Sequence, residues 1–580
     1  MTRANSRLAK ALLPIIGFLS LIWFLIRVIP KPTRASYPCM RVAFPMASTF
    51  VLWLIGLGFS AFLIRKARKG IRESRFILAG ICGIAAAATA WLSFNGNIPP
   101  TAYMGIVPSL HAQASPDPVN NPIGEPKGQN PGRVVWVHDT EATDWAGPGS
   151  GGYCWQAEHT NQGVVDTMMS RAIRWLAGRS TDAEAWGALF RYTNLQKGAG
   201  DRGYQAGEKI VIKINLTLCY VSSMSNPSNR SMLGRYPENA GMTNPQMVLA
   251  LLRQLVNVVG VNQADISVGD PVTFFPQQWY DYLHPEFPNV RYLDHYPFTG
   301  RTQVQFSSTP FYWSTAAAGG KVQDYLPQPY EDAAYLINFS VLKSHERAGI
   351  TLSAKNHFGS LIRSPVGDLR GQNYNYYDMH TNVPIELPGR GLYRNLVDLM
   401  GHAHIGGKTL IYLVDALYGG KSWNGTPYEW NMAPFNGDWP SSLFASQDPV
   451  ALDSVGFDFL LAEWPTEVLI GDGAAQDYLH EAAQASNPPS GTFYDPEDDG
   501  TVMTSLGVHE HWNNAVAKQY SRNLGIGAGI QLISSEPLAC VGDFEPDGDV
   551  DGKDLAGYIL DDGGVSLADF AANFGKSGCF

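Results

Sequence analysis

Several things are scarce in this chain. Acidic residues nearly vanish from residues 1–75, which hold 13 Lys and Arg against Glu73 alone. Basic charge is then short in the remainder, where 29 Lys and Arg face 51 Asp and Glu, a net of −22. So acidic a stretch excludes nucleic acid as a partner, because a phosphate backbone needs a basic face. Cysteine is rare, at six residues. No C-x2-C-x2-C run occurs, so iron–sulfur electron transfer of the ferredoxin kind has no support. G-x-S-x-G is also missing, and Cys154 in GSGGYC lacks the setting of a catalytic elbow.

What is present begins with apolar runs. Residues 11–26, 42–64 and 76–94 carry no charge, and about 20 apolar residues suffice to cross a bilayer. Three such runs with basic flanks predict three transmembrane helices rather than a signal peptide with buried core helices. Arg65, Lys66, Arg68, Lys69, Arg72 and Arg75 place the second loop, and with it the N-terminus, in the cytoplasm. The expectation is a bacterial cell-membrane protein attached through three spans, with its large domain periplasmic or extracellular. Ala112-Gln113-Ala114 resembles a cleavage site, though it lies far beyond the third run. In an oxidising compartment Cys540 and Cys579 are a disulfide candidate, and Cys154 with Cys219 a weaker one.

At 580 residues more than one unit is expected. The division read here is a membrane anchor at 1–94, a Pro, Gly and Asn-rich linker at 95–132, an α/β domain at 133–535 and a small module at 536–580. Strands are predicted at 133–139, 209–216, 264–271, 334–340, 408–417 and near 525–533. Helices are predicted at 161–177, 244–259, 395–402 and 448–462, the last with Asp448 as cap and Pro449 in its first turn. Residues 272–330 read as an elaborated surface loop. The fold class is therefore α/β: a mostly parallel sheet flanked by helices, preceded by three transmembrane helices and followed by a small helical calcium-binding module.

In such sheets ligands sit beyond the carboxyl ends of the strands. Polar residues collect there: His138 and Asp139, Lys213 and Asn215, Asp270, Lys343 and His345, and Asp415. The richest stretch is 338–362, where Lys343, His345, Glu346, Arg347, Lys355, Asn356 and His357 crowd into one segment. Lysine serves as a point charge for phosphate or carboxylate. The candidate catalytic residues are Lys343, His345, Lys355, Asn356, Lys213, Asn215 and Asp415. His509-Glu510-His511 adds a tentative transition-metal pair, since alternate residues of a strand share a face.

KINL at 213–216, NFSVLKSH at 338–345, AKNHFGS at 354–360, LIYLVDALYGG at 410–420 and SQDPVALDSVG at 446–456 together resemble the domain-of-unknown-function 362 family (DUF362), over roughly residues 130–535. The resemblance implies no settled activity. Two functions fit: an extracytoplasmic enzyme acting on a small anionic or metal-bound substrate, or a non-catalytic surface binding or scaffold protein.

The tail carries the most regular spacing. Asp543, Glu545, Asp547, Asp551 and Asp554 occupy positions 1, 3, 5, 9 and 12 of a calcium loop. Gly548 stands at the sharp turn, and Asp549 would offer its carbonyl. Asp554 in place of the EF-hand glutamate resembles the dockerin type, which implies a protein partner for the tail or calcium-stabilised folding. Calcium titration should order residues 536–580, read by circular dichroism, and Asp547→Ala should abolish the response. A tail already ordered without calcium would contradict this assignment.

Overall fold

The computed structural model describes residues 65–66, 117–219, 229–233, 241–314, 322–345, 348–362, 393–465, 468, 474–534, 550–560, 570–571 and 574. The elements in chain order begin with β1 (Ile123–Gly124), β2 (Arg133–His138), α1 (Gln162–Ala177), α2 (Asp182–Gln196), β3 (Ile210–Ile214) and α3 (Pro245–Arg253). Next come β4 (Ile266–Gly269), α4 (Gln277–Leu283), β5 (Arg291–Asp294), β6 (Thr302–Gln303), β7 (Phe306–Trp313), β8 (Val322–Pro327) and α5 (Gln328–Asp332). β9 (Tyr335–His345), β10 (Gly349–Thr351), α6 (Ser353–Asn356), α7 (Asn395–Gly401), β11 (Thr409–Gly420) and β12 (Ser442–Ser446) follow. α8 (Pro449–Glu463), α9 (Ala474–Ala483), β13 (Val508–His509), β14 (Gln531–Ile533) and α10 (Gly552–Leu560) complete the series.

The main sheet runs β14-β2-β12-β11-β9-β3-β4-β5-β6, with β10 paired beside β9. β12 is antiparallel to both β11 and β2. The remaining pairs along this path are parallel. The carboxyl ends of β3, β4, β9 and β11 therefore point the same way, which is what gathers a site.

Both faces are covered, so the strands read as nearly continuous apolar runs. Alternation sends Ile210, Ile212 and Ile214 of β3 into the core shared with α1, α2 and α3, and Val211 into the opposite core. That second core is built around α8. Twelve of the fifteen α8 residues are buried, Asp453, Ser454 and Asp458 among them. Gly456 lets the helix pack closely here, since a Cβ would stand 2.5 Å from Leu352 Cδ1 and push that side chain aside.

The segment before β2 is fastened to the domain residue by residue. Asn120 N–H donates to the His511 carbonyl, and Ile123 pairs with His509. Glu125 N–H donates to Ser505 Oγ, Gly128 N–H to the Tyr192 hydroxyl and Gln129 N–H to Gln447 Oε1. Asp448, the cap of α8, accepts from Ala451, Lys127 and Val508 N–H at 2.9, 2.8 and 3.2 Å.

Several expectations change. No helix among the described residues is long and apolar enough to cross a membrane; α1, the longest described, has 16 residues, short of the roughly 20 required. The three transmembrane helices, and the membrane attachment drawn from them, are withdrawn. The stretches that suggested them, 11–26, 42–64 and 76–94, lie outside the described residues. What stands is a mixed α/β fold. Cys154 and Cys219 are buried and are not joined in a disulfide; Cys540 and Cys579 lie outside the described residues. Residues 272–330 hold α4, β5, β6, the antiparallel β7–β8 hairpin and α5, with Trp279, Phe311 and Trp313 fully buried. They extend the sheet and core rather than decorate a surface.

Asp448→Ala should cost about 3 kcal/mol, since three N–H groups lose a carboxylate acceptor at roughly 1 kcal/mol or more each. Asp448→Asn, which keeps an acceptor, should cost less. Urea unfolding midpoints read the difference, and equal midpoints for the two variants would refute the capping role.

Candidate functional site

The site begins with one amide. Asn356, in the short helix α6, is buried at 2 % exposure. Its Oδ1 accepts from Lys213 Nζ at 3.0 Å and Asn215 Nδ2 at 3.3 Å. Its Nδ2 donates to the Lys213 carbonyl at 3.3 Å and Asn338 Oδ1 at 2.8 Å. All four of its hydrogen-bonding positions are used, so it clamps the end of β3 to the middle of β9. The partners are in register, because Lys213 stands opposite Asn338 in the β3–β9 ladder.

Asn338 passes the network on. Its NH2 group donates to the Ser353 carbonyl and to His357 Nε2, each at 2.8 Å. With Nε2 accepting, His357 Nδ1–H donates to Ser360 Oγ at 2.8 Å. Burial, and secondarily the Lys213 charge, push His357 down to about 3. It is a neutral structural imidazole.

Lys213 is fully buried and pairs with Asp270 at 3.1 Å. Burial pushes its ammonium down while Asp270 pulls it back up. Asp270 Oδ2 also accepts from Leu216 N–H at 3.2 Å. Its Oδ1 is buried with no hydrogen-bond partner among the described residues. Gly359 makes room for this oxygen, since a Cβ at 359 would lie 2.0 Å from it.

Lys343 ends the second half of β9. Its Nζ donates to Asn215 Oδ1 at 3.2 Å and to the Gly241 carbonyl at 2.5 Å. Burial first, then the neighbouring Lys355 and Lys213 charges, push it down to about 7, with Asp270 opposing. Lys355 lies over the Phe358 ring at 4.1 Å and reaches toward Tyr393. His345 stands edge-on to the same Tyr393, and its Nδ1 accepts from Ala348 N–H at 3.1 Å.

Asp415 completes the group from β11. It is buried, accepts from Asn244 N–H at 2.7 Å and Leu417 N–H at 3.0 Å, and is pushed up to about 6 by burial. Asn244 caps α3, and the adjacent Thr243 hydroxyl accepts from Asn215 N–H and donates to the Phe339 carbonyl. Asp415 thus connects to the lysine network through residues 243–244.

The structure accordingly brings Lys213, Asn215, Lys343 and Asn356 into one hydrogen-bonded unit, with Lys355 electrostatically coupled and Asp415 one link away. Sequence reasoning named Asp270 only as a strand end and did not isolate Asn338, Thr243 or the Gly241 carbonyl. His138 and Asp139 fall outside the unit. His138 Nδ1 meets the Pro440 carbonyl at 2.9 Å, and Asp139 caps a turn and faces Arg171 at 3.7 Å. His509 and His511 lie elsewhere, with rings 4.9 Å apart but different partners. His511 Nδ1 bonds Asp458 Oδ1 at 2.6 Å, whereas His509 Nδ1 bonds Ser454 Oγ at 2.7 Å.

Of the calcium residues, Asp543, Glu545, Asp547 and Asp549 lie outside the described residues. Asp551 N–H donates to Asp554 Oδ2 at 2.8 Å in the first turn of α10, and Asp554 is fully buried.

Residues 230–458 match the family described as Domain of unknown function (DUF362). The match runs from before α3 into α8 and holds Lys343, His345, Lys355, Asn356 and Asp415; Lys213 and Asn215 precede it. No curated protein and no solved structure matches the chain. The DUF362 region thus supplies the carboxyl ends of β4, β9 and β11, while β3 comes from the residues before it.

The depressed Lys343 has a measurable consequence. An unfolded lysine titrates near 10.4, so between about 7 and that value the unfolded chain binds more protons and stability rises with pH. From pH 7 to pH 9 this group should add up to about 2–3 kcal/mol. Lys343→Met should remove that increment, read as the wild-type-minus-variant difference in urea unfolding free energy at the two pH values. Parallel pH profiles would show that Lys343 is not depressed.

Proposed function

We propose that the DUF362 region is part of an enzyme that binds a small anion, a phosphate or carboxylate, and that Lys343 both neutralises it and exchanges a proton with it. One observation carries this reading. The buried Lys343 ammonium stands close to the Lys213 and Lys355 charges, yet its hydrogen-bond partners among the described residues are neutral oxygens. Asp270 is engaged by Lys213. Burying an ammonium without a counter-charge is costly, and an incoming anion would supply the missing charge.

The chemistry follows from the same balance. A lysine held near neutrality is a competent general base in its free form and a general acid once protonated. Binding an anion raises its proton affinity, which couples substrate charge to proton uptake. Asp270 Oδ1 offers a second acceptor, and Asp415, pushed up to about 6, a second titrating group. Four strand ends converging on one cluster favour this reading over a non-catalytic scaffold. We further propose that the tail binds calcium, on the spacing of its acids and the burial of Asp554 where α10 begins.

Isothermal titration with sulfate and with acetate at pH 8, in buffers of different ionisation enthalpy, tests the main reading. Neither probe titrates there, so the expected uptake approaching one proton per bound anion belongs to the protein. Lys343→Met should abolish the uptake and weaken binding. Failure of both anions to bind, or binding without proton uptake, would sink the proposal.

A further inference from the structure

We infer that Asp117, His480 and His509 form a transition-metal site, zinc being the ion their chemistry fits best. Asp117 precedes β1, His480 lies in the last turn of α9 and His509 ends β13. One ligand atom from each lies within 4.8 Å of the others. His480 Nε2 is in direct contact with Asp117 Oδ2, and His509 Nε2 stands 3.6 Å from the same oxygen. Four-coordinate zinc with bonds of about 2.0–2.1 Å holds its ligand atoms about 3.3–3.4 Å apart. To reach that spacing the His480–Asp117 contact opens by about 1 Å as the ion enters, while the wider pairs of the triad draw in.

The decisive feature is the state of His509, which is fully buried. The Ser454 hydroxyl spends its proton on the Val450 carbonyl at 2.7 Å. It can then only accept from His509 Nδ1, so Nδ1 carries the hydrogen. His509 Nε2 turns a lone pair into the cluster and has no hydrogen-bond partner among the described residues. A buried lone pair facing a carboxylate calls for a cation between them. An imidazole whose far nitrogen is fixed by a hydroxyl is the usual support for a metal-ligating histidine. Two imidazoles and one carboxylate match zinc's preference. Asp117 and His480 are each 27 % exposed at the side chain, which leaves water access to a fourth position.

This assignment modifies the H-x-H expectation. His509 is a ligand, but His511 is committed to Asp458 and Gln476. The inference is independent of the anion site, since none of its residues belongs to the lysine network.

The competing state is a proton-sharing cluster in which protonated histidines surround Asp117. The two separate cleanly. The full chain is stripped with chelator, loaded with zinc, gel-filtered and analysed for metal, and cobalt(II) is substituted to read the visible absorption of a four-coordinate site. Asp117→Ala and His480→Ala are the informative variants, because both side chains are partly exposed; circular dichroism verifies their folding. The expected result is a bound zinc whose affinity falls tenfold or more in each variant, with loss of the cobalt absorption. A wild-type chain that retains no stoichiometric zinc overturns the site. So do folded variants that bind zinc and cobalt as the wild type does.

Discussion

The region depends on burying Lys213, Lys343 and Lys355 near the ends of parallel strands, with Lys213 paired to Asp270 and Lys343 held, among the described residues, by neutral oxygens. Asn356 makes this tolerable. By filling every hydrogen-bonding position it has, it fixes Lys213 against Asp270 and leaves Asn215 Oδ1 available to Lys343. An unfilled amide in that position would leave buried polar atoms unpaired, each costing of order 1–3 kcal/mol. The strand ends are thus held by side-chain polarity as much as by the ladder.

α8 supports this arrangement from behind. Asp453 accepts from Ser353 N–H at 2.8 Å, Ala354 N–H at 3.0 Å and the Tyr478 hydroxyl at 3.0 Å, which fixes the start of α6 and so the placement of Lys355 and Asn356. The next residue, Ser454, sets the His509 tautomer, and one turn on Asp458 holds His511, Trp512 and Tyr520. A helix buried nearly all round would ordinarily be apolar all round. Here its polar residues are a row of anchors that reach the lysine network and the histidine cluster from a common rod.

How far the sequence discloses this depends on what carries the signal. The strands of the central sheet are apolar on both faces, so IVIKI and LIYLVDAL announce themselves. Asp448-Pro449 announces α8 through capping chemistry. Lysines and asparagines interrupting apolar runs mark the site. By contrast SLFAS, which forms β12, is too short and too small in its side chains to show a period, and nothing in its five residues marks its reversed direction. Residues 272–330 resemble a loop because six short strands and helices are separated by proline and glycine, while their burial is supplied by isolated aromatics. The Gly241 carbonyl has no side chain to betray it. Asp117 and His480 are 363 positions apart, and only the pairing of β1 with β13 brings the first of them near His509.

The attachments of residues 120–130 have a mechanical meaning. Main-chain N–H groups at 120, 125, 127, 128 and 129 each grip a different part of the domain, from the His511 carbonyl to Asp448, Tyr192 and Gln447. A pull on the chain at residue 117 would meet these contacts spread along a ribbon lying across the domain, not as one end bond to be peeled. Tension would pass through Asp448 into α8, the rod that positions both Asn356 and His509. Asp448 is thus a joint at which this ribbon meets the helix behind both clusters.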